Sequence, residues 1–397
     1  MTETTRPVSI APIAEVEVIA FESASSPDDC DGAADTVVVQ LTDEEGRTGI
    51  GEADAPAEVV RAFVDMPDLH IWSRGLRGLL VGRNPFPIPA LWDSLYEGSI
   101  YPGRRGAGIH ALSAVDLALH DLAGKQLGCP AYELLGGARR QALHPYATLF
   151  PGMPQGRSMA ALTAELDGLI DRALELGFRA VKVEVMFEDL ITDDDLARLL
   201  VGARRRLGEG RELLADFGYR WTDWRAACRT LERAAEADLY LAEAPLTHDD
   251  LEGHARLAAR SSTRIGGAEW AATRFECDEW LLRAQVDVLQ PDPNRVGGLT
   301  ELHRVTQLAA QHAAVVIPHG WKTGITVAAN MHIHAAASNV PMFELVSPQL
   351  WSSPLRRELT IPEPELRDGL LELPSAPGLG IELDHEAVAR YRTDVPA

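Results

Sequence analysis

Leu213-Leu214-Ala215-Asp216-Phe217-Gly218, a stretch at helical spacing from Asp223 to Ala237, and Leu241-Ala242-Glu243-Ala244-Pro245 together decide the fold. A short apolar run ends in a carboxylate, a helix-like segment follows, and a second apolar run ends in another carboxylate. Strand, helix and strand in that order describe a βα unit with parallel strands. The rhythm extends both ways. Apolar runs recur at Tyr146–Phe150, Ala180–Val185, Leu213–Phe217 and Leu239–Ala244, then at Arg264–Ala268, Val286–Gln290, Ala314–Pro318 and Met342–Val346. Met159–Leu176 and Asp193–Leu207 supply helices between them. Eight units in roughly 210 residues predict a closed (β/α) barrel rather than an open doubly wound sheet. No GxGxxG or Walker pattern stands where a nucleotide-binding sheet needs one.

Upstream the pattern differs. Val37-Val38-Val39-Gln40-Leu41-Thr42 reads as a strand, Asp43–Gly46 as a turn, and Thr48-Gly49-Ile50-Gly51 as the returning strand. From Ile109 to Leu127 the apolar residues fall at helical spacing. The first third is therefore α+β. Ser23–Asp35 and Ala53–Val64 read as loops, and the Pro-rich tail from Pro362 is expected to return to the N-terminal part. The expected division is an N-terminal α+β part over 1–138, a barrel over 139–361 and a tail over 362–397 that packs back on the first part.

In such barrels the chemistry sits at the C-terminal ends of the strands. The residues standing there are Asp216, Glu243, Glu269, Asp292, His319 and Glu344. By subtraction of residue numbers, successive members are 27, 26, 23, 27 and 25 apart. One acidic or His residue per unit, always after an apolar run, is hard to obtain by chance. Asp216, Glu243 and Glu269 on consecutive strands would repel one another unless a hard cation lay between them. An all-oxygen set without Cys or His points to Mg²⁺. The blander alternative is three independent strand-end residues capping helices or pairing with Arg. Asp292 and His319 form a second constellation, in which a carboxylate fixes the imidazole tautomer and leaves the other nitrogen for proton transfer. Lys182 and Glu184, two apart on the second strand, point the same way into the mouth. Lys182 is suited to neutralising a substrate carboxylate or acting as a base; the alternative is a Lys–Glu pair filling a barrel layer.

Composition narrows the class. The 397 residues carry 37 Lys and Arg against 59 Asp and Glu, a formal net charge of −22. That sign repels phosphate backbones and anionic membrane surfaces, so neither is an expected partner. No run approaches the ~20 apolar residues of a transmembrane helix, and Met1–Ile10 lacks signal-peptide character. Cys30, Cys129, Cys228 and Cys277 are scattered without a CxxC pair, which fits a reducing cytoplasm.

Together these residues resemble the enolase superfamily, in its mandelate racemase and sugar-acid dehydratase branch. The likeness covers nearly the whole chain. It includes Gly51-Glu52, the helix from Ala114-Val115-Asp116 through Asp121-Leu122-Ala123-Gly124-Lys125, Leu134-Leu135-Gly136-Gly137, the strand-end set, and Pro377-Gly378-Leu379-Gly380-Ile381. The resemblance implies a (β/α)₇β barrel, a modified TIM barrel, under an α+β cap built from both termini. It implies Mg²⁺ on Asp216, Glu243 and Glu269, a His319–Asp292 dyad as general acid or base, and Glu344 bonding the substrate carboxylate or enolate. Lys182 matches the first lysine of the family's Lys-x-Lys motif. Two departures stand out. Glu184 replaces the second lysine, which weakens a two-base racemase and leaves Glu184 either to hold Lys182 or to act as a carboxylate base. Gly218 stands where a polar residue is usual. The expected activity is proton abstraction next to a carboxylate, giving an enediolate, with dehydration of an aldonate or aldarate first. Epimerisation, racemisation or lactone cycloisomerisation are the alternatives, and a non-catalytic binding barrel is the remote one. The resemblance also implies a homo-oligomer, dimer or octamer.

Overall fold

A computed structural model describes residues 10–24, 34–187 and 190–393. Three antiparallel strands open the chain: β1 (Ile13–Glu22), β2 (Asp35–Asp43) and β3 (Thr48–Ala53). The Val37–Val39 run lies in β2, and its turn at Asp43 closes through Asp43 Oδ1, which accepts from the Glu45 and Arg47 amides at 2.9 Å each. Behind this sheet packs the helix Ala107–Leu127, nearly all of it buried. Its approach to β3 depends on glycine. A Cβ on Gly51 would lie 2.0 Å from the Ala114 carbonyl oxygen, and one on Gly49 would lie 2.3 Å from that of Ala118.

Eight parallel strands follow: β4 (Pro145–Leu149), β5 (Ala180–Glu184), β6 (Glu212–Asp216), β7 (Leu241–Glu243), β8 (Arg264–Gly267), β9 (Val288–Leu289), β10 (Val315–Val316) and β11 (Phe343–Leu345). They are ordered β10-β9-β8-β7-β6-β5-β4-β11. A helix lies between each successive pair, which makes the architecture (β/α)₇β. The seam between β10 and β11 is crossed by single bonds. The Val316 amide donates to the Asn339 carbonyl at 3.0 Å, and the Gly320 amide donates to Glu344 Oε2 at 2.9 Å.

Two-residue alternation sorts the strands' side chains into layers. Tyr146, Ala180, Leu214, Leu241, Val288, Ile317 and Met342 form a separate apolar cluster inside the barrel. One step further along the same strands, the same parity delivers Thr148, Lys182, Asp216, Glu243 and Glu344, all buried. The outward-facing Ala147, Val181, Val183, Leu213, Ala215 and Ala242 join the large core under the helices. An apolar floor thus lies beneath a charged mouth, by strand geometry alone.

Ala53–Val64 is not a loop throughout: Pro56 precedes a helix over Ala57–Asp65, whose Val60 and Val64, four apart, are buried against the cap. Most of Ser23–Asp35, with Asp28, Asp29, Cys30 and Asp31, lies outside the described residues. The stretch from Asp223 to Ala237 is helical over Trp224–Arg233 and then tightens into a 3₁₀ turn over Ala235–Ala237. At the other end of the chain, the Thr393 amide donates to the Ala20 carbonyl at 3.0 Å and Arg392 pairs with Glu17 at 2.6 Å, beside β1.

Candidate active site

The charged mouth centres on Lys182. Its ammonium lies 3.0 Å from Glu344 Oε1, 3.1 Å from Glu243 and 3.9 Å from Asp216 Oδ2. Lys182 is 1% exposed, so this charge has left water entirely. Burial alone would strip its proton, but Glu243 and Glu344 outweigh it and hold the group well above the usual lysine range. Lys182 is therefore an ammonium here, a source of positive charge among the carboxylates.

The carboxylates divide by their partners. Glu344 accepts from the Thr148 hydroxyl and the Gly320 amide. Burial would raise it, yet Lys182, His319 and the Thr148 bond bring it down to about 2. Asp216 and Glu243 go the other way. Burial, then Glu269 and Glu184, lift Asp216 to about 7 despite Lys182. Burial, Asp216 and Glu344 lift Glu243 to about 8. Glu269 is held below its ordinary value: burial is overcome by His319, Arg295 and a bond donated by the Tyr219 hydroxyl.

His319 and Asp292 meet as the spacing predicted, with Nδ1 to Oδ2 at 2.6 Å. Asp292 is held in turn by the Asn294 amide at 2.6 Å. The other imidazole nitrogen, Nε2, points at Glu269 Oε2 across 3.4 Å. Burial disfavours the imidazolium, but Glu269 and Asp292 prevail over it and over Arg295, and His319 is pushed up to about 9. Glu184 is buried at the end of β5, in register beside Asp216.

All eight residues singled out from the sequence stand at this one mouth. Sequence reasoning missed Thr148 and Tyr219. Thr148 was within reach, because it shares parity with Tyr146 on the first barrel strand. Tyr219 was not, since it reaches Glu269 only through a left-handed backbone (φ +63°) that no spacing rule foretells. Nor did spacing foresee the bracing beside the mouth, where Asp54 from the cap pairs with Arg295 at 2.6 Å and with Lys322 at 3.2 Å.

The carboxylate trio suits a hard divalent cation in its chemistry. All donors are oxygens, burial and the neighbouring carboxylates raise two of the three toward protonation, and Glu243 Oε2 accepts no hydrogen bond although Lys182 is 3.1 Å away. Among the described residues, no three His, Cys, Asp or Glu side chains already converge as a metal-holding group. Lys182 and Tyr219 engage Glu243 and Glu269 instead.

Known proteins resemble this chain over most of its length. The family described as enolase C-terminal domain-like matches residues 165–388, more than half of the chain. The mandelate racemase / muconate lactonizing enzyme N-terminal domain matches residues 27–136. D-galactarolactone cycloisomerase from Agrobacterium fabrum is 30% identical over 382 residues, 95% of each chain. L-rhamnonate dehydratase from Saccharopolyspora erythraea is 32% identical over 370 residues, 90% of this chain and 86% of that one. A solved structure described provisionally as a racemase is 42% identical with a TM-score of 0.91, covering 98% of this chain and all of that one. A Streptomyces coelicolor racemase solved with bound magnesium is 26% identical with a TM-score of 0.80, covering 96% and 100%. No helix among the described residues is long and apolar enough to cross a membrane. The chain belongs to the mandelate racemase / muconate lactonizing enzyme branch of the enolase superfamily.

Proposed function

We propose that the protein dehydrates a sugar acid, an aldonate or aldarate, to a 2-keto-3-deoxy acid through an enediolate. The observation that carries this reading is the pairing of an intact His319–Asp292 dyad with a fully buried Lys182 ammonium at one mouth, with Glu184 where a second basic group would stand. A substrate carboxylate beside Lys182 gains a positive neighbour that becomes more valuable as the carboxylate takes up enediolate charge. The proton next to that carboxylate leaves to His319 Nε2, and its C–H electron pair passes into the carboxylate. Asp292 holds Nδ1–H, which keeps Nε2 as the working nitrogen. The enediolate pair then expels the β-hydroxyl, which departs as water with the proton returned from Nε2. The resulting enol ketonises. Glu344, kept ionised by Lys182 and Thr148, orients that ammonium.

Asp216, Glu243 and Glu269 would hold Mg²⁺, whose charge would stabilise the enediolate. In this reading residues 1–138 and 362–397 form the cap over a barrel at 139–361. A lactone cycloisomerase shares the first proton transfer and is favoured by the likeness to D-galactarolactone cycloisomerase over 95% of both chains. One experiment separates them: incubation with Mg²⁺ in D₂O against a library of aldonic and aldaric acids, following exchange next to the carboxylate and product mass. Exchange with loss of water supports dehydration. Exchange at unchanged mass rejects dehydration in favour of isomerisation, and no exchange with any acid rejects the sugar-acid reading.

A further inference from the structure

Beyond the mouth lies a cavity of about 580 Å³ whose inner wall is Thr148, the residue that donates to Glu344. Trp321, next in the chain to the Gly320 amide that also donates to Glu344, forms part of the same wall. The cavity is therefore walled in part by Thr148, which holds Glu344 at the mouth, and by Trp321, the neighbour of Gly320. Trp321 and Trp351 pack against each other with ring centroids 4.5 Å apart, and both line it. They are 7% and 8% exposed, yet neither indole N–H has an acceptor. An indole nitrogen only donates, so the residues of this wall hold two buried donors without an acceptor.

The remaining wall is cationic. Arg157, Arg172 and Arg357 line the cavity against one carboxylate, Glu165, among the described residues. Arg172 and Glu165 are a loose pair at 3.7 Å, both half-exposed. Arg357 pairs with its neighbour Glu358. Arg157 donates to the Pro151 carbonyl at 2.6 Å and, among the described residues, pairs with no carboxylate. A guanidinium fork beside a pair of tryptophan side chains matches the planar acceptor pair of a carboxylate better than a neutral hydroxymethyl end.

We propose that this cavity seats a second carboxylate, so that the substrate class is the sugar diacids, bound with one end at Lys182 and the other against Arg157, Trp321 and Trp351. The inference rests on the sugar-acid reading above and narrows it to aldarates. It also gives the β11 loop, which carries Trp351, a direct part in choosing the substrate.

The test compares hexarates with hexonates of matching configuration, in the Mg²⁺-supplemented full-length protein and in Arg157→Gln and Trp351→Phe. Turnover and calorimetric binding are both read. The expected result is a wild-type preference for hexarates in kcat/KM, and a hexarate-to-hexonate ratio that falls about 10-fold or more in each variant. Equal handling of the two classes by wild type, or a ratio unmoved by both substitutions, overturns the subsite. If no acid is turned over, the dehydration reading fails and binding decides the subsite alone. Hexarate binding weakened by Arg157→Gln upholds it, and binding that ignores the second carboxylate rejects it. Circular dichroism of both variants shows whether a lost preference reflects the cavity rather than misfolding.

Discussion

Adding Mg²⁺ to the metal-free protein is expected to expel protons in a count that the site itself fixes. Asp216 and Glu243 are raised to about 7 and about 8, chiefly by burial and by crowding among carboxylates. At pH 6 such a pair is mostly protonated, so a cation that needs both ionised releases about two protons. The count falls as the pH rises through the range of about 7 to about 8 and is nearly nil at about pH 9.5. Any proton that His319 yields when Glu269 turns away from it adds to the count at pH 6. The apparent dissociation constant should therefore fall nearly 100-fold per pH unit around pH 6 and flatten above about pH 8. Calorimetric titration of Mg²⁺ in buffers of different ionisation enthalpy reads the proton number directly. The linkage has a second face. Both folded-state values lie above the unfolded ones, so the stability these groups contribute is present at low pH and lost as pH rises through 7 to 8. The metal-free protein should melt at lower temperature at pH 8.5 than at pH 5.5, and Mg²⁺ should restore more at the higher pH. Fewer than about half a proton released at pH 6, or a count that does not fall with pH, would refute the cation-starved trio.

Three further outcomes follow from other contacts. His319→Asn should lower proton exchange next to the carboxylate by about 10²–10⁴-fold, with unchanged circular dichroism, because the amide keeps a polar contact to Asp292 but cannot carry a proton; full turnover in that variant would remove His319 from the mechanism. Lys182→Met leaves Asp216, Glu243 and Glu344 without their shared cation and should cut kcat/KM by about 10³-fold or more, and a thermal scan should show whether the fold survives the unpaired charges. Gly51→Ala should cost about 1–3 kcal/mol in chemical denaturation, since the new methyl would start 2.0 Å from the Ala114 carbonyl and must push helix and sheet apart.

Much of this site was legible because a β-strand repeats every two residues and a barrel repeats every βα unit. Those two periods place Asp216, Glu243 and Glu344 above Leu214, Leu241 and Met342 without any knowledge of contacts. Lys182 follows from Ala180 in the same way. Glu184, one further step along, comes into register beside Asp216 and is one of the charges that raise it. The departure at position 184 is thus an electrostatic change beside Asp216. A lysine there would relieve Asp216, whereas the glutamate deepens the deficit of positive charge around the trio.

What stayed hidden obeys neither period. Tyr219 reaches Glu269 through a left-handed turn, Arg295 meets Asp54 across 241 positions of sequence, and Trp321 and Trp351 pack together at a tilt from loops after different strands. Such contacts depend on where loops close in space, and loop conformation is set by tertiary packing rather than by local pattern. The division has a functional counterpart. In the mechanism proposed above, residues set by strand parity handle the carboxylate and the proton, which every acid offered to such a mouth has in common. The residues proposed to meet the far end, where one acid differs from the next, are set by loops. A barrel can therefore exchange its loop residues and change substrate while the parity-determined layer keeps the same chemistry. Exchanging the β11 loop should accordingly alter the choice of acid before it alters the rate of proton exchange.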